Sequence, residues 1–174
     1  EYSPSMTLDG TLYFTRGPAG GGENVVMRSR LVDGVYQEPE RLPDQVNAGM
    51  NRYNAFVEPH ERFLILTAGG GMEDSVGGAD YYIVFRTPDD EWSDPVNLGP
   101  AVNTPGSQEH SPYLSPDGRV FFFMTARTDW GMLAPHGDFD ARGIQGMMTE
   151  PNNGAWDIYW MDAAFLEELR PEGF

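Results

Sequence analysis

The sequence predicts an all-β fold built from three copies of one structural repeat. The chain has 174 residues, and its 21 Gly and 14 Pro are spread among apolar runs of strand length. This composition is typical of many short strands and tight turns. Segment 1–14 recurs as 109–122 with the same Ser-Pro, Asp-Gly and aromatic-Phe elements, and a more divergent copy lies at 52–65. A repeat of about 50 residues indicates a repetitive architecture such as a propeller or a solenoid.

Each copy opens with a predicted hairpin. Asp9-Gly10 and Asp117-Gly118 each separate two apolar segments, and glycine in such a turn accepts a positive φ at no steric cost. The second copy has His60-Glu61 at this point. We therefore expect a turn of another type there, between strands that are otherwise retained.

A third and a fourth strand follow each hairpin. Third strands are predicted at 24–30, 80–86 and 157–162. The fourth strand carries an aromatic-x-x-Pro-x-x-Leu pattern that continues to a Val-Asn pair. The pattern occurs twice, as Tyr36, Pro39, Leu42, Val46 and Asn47, and as Trp92, Pro95, Leu98, Val102 and Asn103. Because proline within sheets is confined mainly to edges, the fourth strand is predicted at the outer edge. Four antiparallel strands per repeat describe a blade of a β-propeller.

These elements divide the chain, which is interpreted as a single propeller segment over 1–174. Blade one is predicted at 1–50, blade two at 51–107 and blade three at 108–162, with an insertion at 128–156 and a C-terminal helix at 163–170. Asp162 is the expected N-cap of that helix, and Pro171 is expected to end it.

The combination of E-x-S-P-x-x-S-x-D-G-x-x-aromatic-F, D-I-Y and W-x-x-P-x-x-L-G resembles the WD40-like repeat of the TolB type, known as PD40. The resemblance covers nearly the whole chain and is weakest at 52–66. It implies an exported bacterial protein, periplasmic or secreted, whose propeller of six blades acts mainly as a binding platform. The chain then encodes half of such a ring. Either it is part of a larger propeller, which the missing initiator Met favours, or two copies form a homodimer that completes the ring.

The composition excludes several classes of function. A net charge of −16 argues against nucleic acid as a partner, because such binding depends on cationic groups that neutralise phosphates. The chain has no Cys, which excludes disulfides and thiolate metal sites. No apolar run approaches the length of a membrane span. No cofactor is expected, although a bound Ca²⁺ or another divalent cation remains an open alternative.

The first candidate site lies at the start of the innermost strands, where they are expected to reach the mouth of the propeller channel. Tyr2, Tyr53 and His110 occupy one matched position, with Glu1, Arg52 and Glu109 beside them. They predict a polar ligand surface. The alternative is that Glu109 and His110 form hydrogen bonds to the neighbouring blade, since Glu1 shows that the acidic residue belongs to the repeat.

The second candidate site lies in the insertion, which only the third copy has. Loops of this length in compact domains are often functional. Trp130 is a candidate for binding a sugar or a peptide. His136, Asp138 and Asp140 are closely spaced enough to suggest a metal site, although a solvated loop is the better interpretation.

The sequence therefore favours a non-catalytic binding or scaffold module over an enzyme. No Gly-x-Ser-x-Gly, His-Glu-x-x-His or phosphate loop is present. The expected ligand is a protein, a peptide or a glycan. The alternative is a glycan lyase or hydrolase that uses His110 and acidic residues of the channel.

Overall fold

The three copies of the repeat form three separate antiparallel sheets, which confirms the predicted all-β class. A computed structural model describes residues 1–18, 20–128, 145 and 148–174. Sheet one consists, in spatial order, of β1 (Tyr2–Met6), β2 (Leu12–Arg16), β3 (Val25–Ser29) and β6 (Glu40–Arg41). Sheet two consists of β7 (Arg52–Val57), β8 (Phe63–Ala68), β9 (Asp80–Phe85) and β10 (Val96–Asn97). Sheet three consists of β11 (Glu109–Leu114), β12 (Val120–Thr125) and β13 (Asp157–Asp162).

The hairpin that opens each copy forms as predicted. The β1–β2 and β11–β12 turns contain Gly10 (φ 88°) and Gly118 (φ 70°), both in the left-handed region that glycine adopts without strain. In the second copy Glu61 adopts φ 61° instead, and the Glu58 carboxylate accepts the amides of His60 (2.9 Å) and Arg62 (3.2 Å). A carboxylate that caps the turn thus replaces Asp-Gly.

The sheets pack face to face through two apolar layers. Between sheets one and two lie Tyr13, Val26, Leu42, Val46, Val57, Leu64, Leu66, Tyr82, Val84 and Trp92. Between sheets two and three lie Phe63, Ile65, Tyr81, Ile83, Phe85, Leu98, Val102, Leu114, Phe121, Phe123 and Leu166. Sheet two is therefore covered on both faces, and all six residues of β8 and of β9 are buried. Its strands read as continuous apolar runs for this reason.

The fourth strand lies at the sheet edge, as the prolines predict, and an asparagine fixes it there. β6 and β10 follow Pro39 and Pro95 directly. The Asn47 side chain accepts the amide of Val26 (2.8 Å) and donates to the carbonyl of Leu42 (2.9 Å). Its equivalent Asn103 accepts the amide of Tyr81 (2.8 Å) and donates to its carbonyl (3.0 Å), a two-sided contact that we call the asparagine clamp. These side chains replace backbone partners where the short fourth strand ends.

Three elements differ from the sequence-based expectation. Residues 31–36 form an additional hairpin of β4 (Leu31–Val32) and β5 (Val35–Tyr36), because Asp33 and Gly34 adopt positive φ between them. Sheet three has three strands within the described residues. The C-terminal helix α1 is shorter than expected and spans Phe165–Glu168.

The cap of α1 also differs from the prediction. Ala164 occupies the N-cap position without a side-chain hydrogen bond, whereas Asp162 accepts the amide of Ala164 (2.8 Å). The helix packs through Leu166, which is buried in the apolar layer between sheets two and three. Within the described part of the chain, no helix has the length and apolar character needed to cross a bilayer.

An ionic cluster joins sheets one and two at their outer side. Asp90 binds Arg28 through two hydrogen bonds (2.7 Å each), Arg30 through one (2.8 Å) and Arg86 through one (2.7 Å). Arg28 lies in β3 and Arg30 directly follows it. Arg86 and Asp90 follow β9 of sheet two. The bidentate geometry with the buried Arg28 makes this contact stronger than an ordinary surface ion pair.

Candidate functional site

Four ring side chains lie near the starts of the innermost strands, and we call them the aromatic row: Tyr2, Tyr53, His110 and Trp156. β7 lies between β1 and β11, so the first three residues lie side by side near the starts of these strands. The rings of Tyr53 and His110 are 5.4 Å apart, and those of His110 and Trp156 are 4.3 Å apart in an edge-to-face arrangement. The structure therefore brings together Tyr2, Tyr53 and His110, which the sequence predicts as one matched set.

A β-bulge in each inner strand positions the row. The register shifts by one residue directly after Tyr2, Tyr53 and His110. The bulged residues Ser3 (φ 51°), Asn54 (φ 51°) and Ser111 (φ 56°) lie in the left-handed region. The Asn54 amide donates to the Ser111 hydroxyl (3.0 Å), which links two of the bulges. Bulges often re-aim side chains beside functional sites, and here the same bulge occurs three times.

The row is partly buried, and burial favours the neutral forms of its titratable rings. Burial raises the pKa of the Tyr53 phenol, with a smaller contribution from the nearby Tyr2. Burial lowers the pKa of the His110 imidazole, which favours its neutral form. Tyr2 and Trp156 remain 42% and 43% exposed, so the two ends of the row are open to a ligand.

A cleft continues from the row along the inner strands. It has a volume of about 470 Å³ and is lined by segments of all three inner strands, among them Ser3, Asn54, Phe56, Ser111 and Tyr113. The rings of Phe56 and Tyr113 meet edge to face at 5.6 Å within it. Its lining joins ring surfaces to hydroxyl and amide groups, the combination that ligand sites use for affinity and orientation.

Arg52 and Glu109 do not lie on this ligand surface, in contrast to the sequence-based expectation. Adjacent side chains of a strand point to opposite faces, so residues beside Tyr53 and His110 turn inward. The side chains of Arg52 and Glu109 are 1% and 0% exposed. Glu1, the third residue of this set, is exposed and pairs with Arg16 (2.6 Å).

Glu109 instead connects sheets two and three, the alternative that the sequence left open. Its amide donates to the carbonyl of Ala79 (2.8 Å), and its carboxylate accepts the Thr125 hydroxyl (2.8 Å). The Tyr81 hydroxyl donates to the carbonyl of the next residue, His110. Burial raises the pKa of Glu109 to about 7, and its hydrogen bond to Thr125 only partly opposes this effect.

The guanidinium of Arg52 is buried, and few polar partners compensate for its loss of hydration. Its Nη2 contacts the Met72 sulfur (3.1 Å), and its guanidinium lies 5.8 Å from the centre of the Tyr82 ring. Nε and Nη1 have no hydrogen-bond partner among the described residues. Burial lowers the pKa of Arg52 to about 10. Arg52 therefore packs inside the chain and does not contribute to the ligand surface predicted from the sequence.

Trp156 is the residue of the row that the sequence does not single out. Its position just before β13 suggests packing within the blade, yet the side chain lies against His110. Thr128 pairs with Asn153, three residues before Trp156. Its position at the end of the insertion is the sequence feature that could have indicated a role for Trp156 in the site. The insertion candidates Trp130, His136, Asp138 and Asp140 lie outside the described residues.

A second cleft, of about 660 Å³, lies at the other end of the sheets, between the hairpin turns and α1. Its charged side chains are engaged with one another, because Arg62 pairs with Glu58 (3.1 Å) and Glu167 (3.1 Å). Among the described residues, no three His, Asp or Glu side chains are grouped so as to hold a metal ion. The aromatic row and its cleft are therefore taken as the candidate site.

The architecture defines the chain as an all-β protein of antiparallel sheets with a TolB-like fold. The chain is similar to the crystal structure of TolB from Acinetobacter baumannii, with a TM-score of 0.53 and 15% sequence identity. The match covers 92% of this chain and 29% of that chain, so this chain spans less than a third of the TolB structure. No protein-family model matches the sequence, and no curated protein matches it. At this identity the similarity concerns the fold.

Proposed function

We propose that this chain is a non-catalytic binding module of an exported bacterial protein, periplasmic or secreted, with a TolB-like propeller. Its ligand is a protein, a peptide or a glycan that lies across the aromatic row. The observation that carries the proposal is the series of ring contacts from Tyr53 through His110 to Trp156, at 5.4 and 4.3 Å, with Tyr2 on the neighbouring strand β1. The PD40-like repeat and the TolB-like fold support it further.

The chemistry of the row suits such ligands. Aromatic side chains offer a large contact area and lose little conformational entropy, since each has only two side-chain torsions. The phenol hydroxyls and the neutral imidazole add polar groups that orient a ligand. Because these groups are uncharged, they suit an extended peptide or a sugar ring better than a charged small molecule.

A complete propeller requires further sheets beside the three of this chain. Propellers close with about four to eight blades. The proposal leaves two sources for the remaining sheets, which are further repeats of a longer chain or a second copy of this one. Sedimentation equilibrium distinguishes them, because a homodimer has twice the chain mass of 19.4 kDa and a monomer at that mass excludes it.

The binding role is tested with a glycan array and a displayed peptide library, using Tyr53→Ala and His110→Ala as variants. Loss of a central ring from an aromatic site costs about 2 kcal/mol or more, so we expect binding to the selected peptide or glycan to weaken at least about tenfold. His60→Ala is the matched control, because His60 is exposed in the β7–β8 turn and outside the row. Equal binding by all three variants contradicts the proposal.

The alternative function, a glycan lyase or hydrolase, has weaker support in the geometry. Such a reaction needs a carboxyl group that faces the substrate beside His110. The neighbouring Glu109 carboxyl is fully buried and bound to Thr125. Cleavage of an array glycan that His110→Ala abolishes is the result that favours the enzyme.

A further inference from the structure

Arg52 carries a buried charge that no described residue neutralises. It is 1% exposed, and its Nε and Nη1 atoms have no hydrogen-bond partner among these residues. Burial lowers its pKa to about 10, so the guanidinium is still charged at pH 7. Arg28 is buried almost as deeply, at 4%, but it pairs with Asp90 (2.7 Å) and Glu40 (2.9 Å). Since buried charges in proteins are paired as a rule, Arg52 is a candidate for binding an anion.

The repeat shows that Arg52 replaces an acidic residue. Glu109 occupies the matched position of sheet three, and both backbone amides donate to the carbonyl directly before the third strand of the preceding sheet (3.1 and 2.8 Å). The residue opposite Glu109 is Thr125, whose hydroxyl donates to the Glu109 carboxylate (2.8 Å). The residue opposite Arg52 is Ala68, whose side chain has no polar group. The same place in the fold thus encloses a carboxyl group in sheet three and a cation in sheet two.

The segment that lies against the guanidinium reaches the protein surface. Nη2 of Arg52 donates to the Met72 sulfur (3.1 Å), and Met72 is half-buried beside the exposed Gly71. A Cβ atom at Gly49 would lie 2.7 Å from Nη2 and 2.9 Å from the Met72 sulfur, so only glycine allows this approach. A thioether is a weak acceptor on a flexible side chain. A stronger acceptor that arrives from the surface can therefore displace it.

We propose that Arg52 binds a carboxylate group, which displaces the Met72 sulfur and accepts hydrogen bonds from Nε and Nη2. These two N–H groups form one edge of the guanidinium, and such an edge matches the two oxygens of a carboxylate. Arg16 uses the same edge for the carboxylate of Glu1, with Nε at 3.0 Å and Nη2 at 2.6 Å. The ligand of Arg52 is a small free acid or the C-terminus of a bound peptide, which offer the same group.

Charge and burial limit which ligand fits. The nearby Glu23 interacts electrostatically with Arg52 and, in a chain of net charge −16, disfavours ligands with more than one negative charge. The full burial of the guanidinium favours a slender group over a bulky one. Arg52 and Tyr53 are adjacent in β7 and point to opposite faces of the strand. The site is therefore separate from the aromatic row, and this inference does not rest on the ligand role proposed for that row.

NMR titration of the full chain tests the site through the Nε–H signal of Arg52, which is assigned through the backbone amide of the same residue. Sodium acetate provides the carboxylate, acetamide is its neutral counterpart, and sodium chloride keeps the ionic strength constant. We expect acetate to move this signal along a saturable curve with a dissociation constant of about 1 mM, and acetamide to leave it in place. N-acetylglycylglycine distinguishes the two sources of the carboxylate. Tighter binding than acetate assigns it to a peptide C-terminus, and weaker binding assigns it to a small free acid.

Two variants separate the bidentate contact from a general effect of charge. Arg52→Lys keeps the charge but loses the planar edge, so we expect acetate to bind at least about tenfold more weakly, measured through the acetate dependence of thermal unfolding. Arg41→Met is the matched control, because Arg41 is exposed and pairs with Asp44 (2.8 Å), and it should keep the native acetate dependence. The proposal is overturned by an Arg52 signal that acetate leaves unmoved, by an equal shift with acetamide, or by native acetate affinity in Arg52→Lys.

Discussion

Glu109 shows how one buried carboxyl group makes the stability of the chain depend on pH. One of its oxygens accepts the Thr125 hydroxyl, and Oε2 has no hydrogen-bond partner among the described residues. Its pKa is raised from 4.5 to about 7 by burial. Because the folded-state pKa is the higher one, folding is favoured most when the group is protonated. Its contribution to stability is complete below about pH 4.5 and is lost as the pH rises to about 7.

Glu109→Gln is expected to remove this pH dependence. The amide is neutral at every pH, so the variant no longer has to bury a charge above pH 7. We expect its free energy of unfolding at pH 8 to exceed that of the native chain by up to roughly 3 kcal/mol, the equivalent of the pKa shift. Urea unfolding between pH 4 and 8 measures the difference.

Glu91→Gln is the matched control, because Glu91 is exposed in a turn. It should leave the pH profile between 4.5 and 7 unchanged. If Glu109→Gln keeps the native dependence of the free energy of unfolding on pH in this range, a group other than Glu109 binds the proton responsible.

The bulge residue Asn54 gives a second prediction for a single side chain. It adopts φ 51°, which asparagine tolerates and β-branched residues strongly disfavour. Asn54→Val is expected to lower the free energy of unfolding by about 1–3 kcal/mol, through backbone strain and loss of the bond to Ser111. Asn54→Gly loses that bond but relieves the strain, and should cost clearly less. Similar losses for both variants in urea unfolding argue that the left-handed conformation is not the cause.

The fourth strands are very short, so their attachment depends on the clamp. β6 and β10 have two residues each, too few for backbone pairing alone to hold them. Asn103 adds contacts to Tyr81 and also donates to the Asn97 side chain (2.7 Å) within β10. A side chain thus joins the third strand, the fourth strand and the loop that follows.

Asn103→Ala is expected to lower the free energy of unfolding by about 1–3 kcal/mol, because it leaves the N–H of Tyr81 buried without a partner and its C=O with only the Leu98 amide. Asn103→Asp keeps the acceptor for the Tyr81 amide but loses both donated bonds, and should show a comparable loss. Urea unfolding at pH 7 checks both values, and amide exchange at Tyr81 should accelerate in the alanine variant. Unchanged exchange at Tyr81 contradicts the clamp.

The hairpins, the third strands and the edge position of the fourth strands could be predicted because each depends on local chemistry. Asp-Gly turns, apolar runs of strand length and Pro39 or Pro95 carry that information in adjacent residues. The β4–β5 hairpin is not predicted, because the fourth-strand pattern is taken to begin at Tyr36, which the structure places in β5 directly after the Asp33-Gly34 turn. The helix α1 is shorter than the sequence predicts: it has four residues, although Phe165, Leu166 and Leu169 all pack against the apolar layer between sheets two and three.

At the scale of the whole molecule, the two interfaces between sheets rely on different forces. Sheets two and three meet through an apolar layer rich in aromatic rings, to which α1 adds Leu166. Sheets one and two have an apolar layer as well, but Asp90 adds ion pairs to three arginines. The Arg28 guanidinium is the main cause that lowers the pKa of Asp90 below its usual value, with Arg86 assisting.

Asp90→Ala is expected to weaken the interface between sheets one and two. It leaves Arg28, whose side chain is 5% exposed, with Glu40 as its remaining acidic partner among the residues described. Removing one partner of a buried pair costs about 3–5 kcal/mol, and since Asp90 itself is about one-third exposed we expect about 1–3 kcal/mol. Urea unfolding of the variant at pH 7 measures the loss.

The pH dependence of this cluster has the opposite sign to that of Glu109. A lowered folded-state pKa means that Asp90 stabilises the chain above its usual pKa of about 3.8, and that this contribution is lost as the pH falls further. The native chain should therefore lose stability below pH 4 more steeply than Asp90→Ala. Arg30→Ala, which removes only an exposed arm of the cluster, should cost less than about 1 kcal/mol.

The candidate site could be predicted from the sequence only in part, because side chains of one strand separate onto two faces. The matched position of Tyr2, Tyr53 and His110 was evident from the repeat. Side chains alternate between the two faces of a strand, so Arg52 and Glu109 point to the face opposite Tyr53 and His110. The β-bulge that follows each pair interrupts this alternation, and no sequence pattern identifies the bulge reliably. Trp156 reaches the row across an insertion, a contact that no local pattern encodes.

The long connection before β13 also has a consequence for the time course of folding. Every other pairing of neighbouring strands in the three sheets spans a shorter stretch of chain, whereas β12 and β13 are separated by about 30 residues. Compared with the five-residue connection between β1 and β2, closing this loop costs about 1.5 kcal/mol more in chain entropy. We therefore expect β13 to dock last. Until it does, the apolar side chains of β12 have no cover on the β13 side, and the half-assembled chain is most exposed to self-association at that stage.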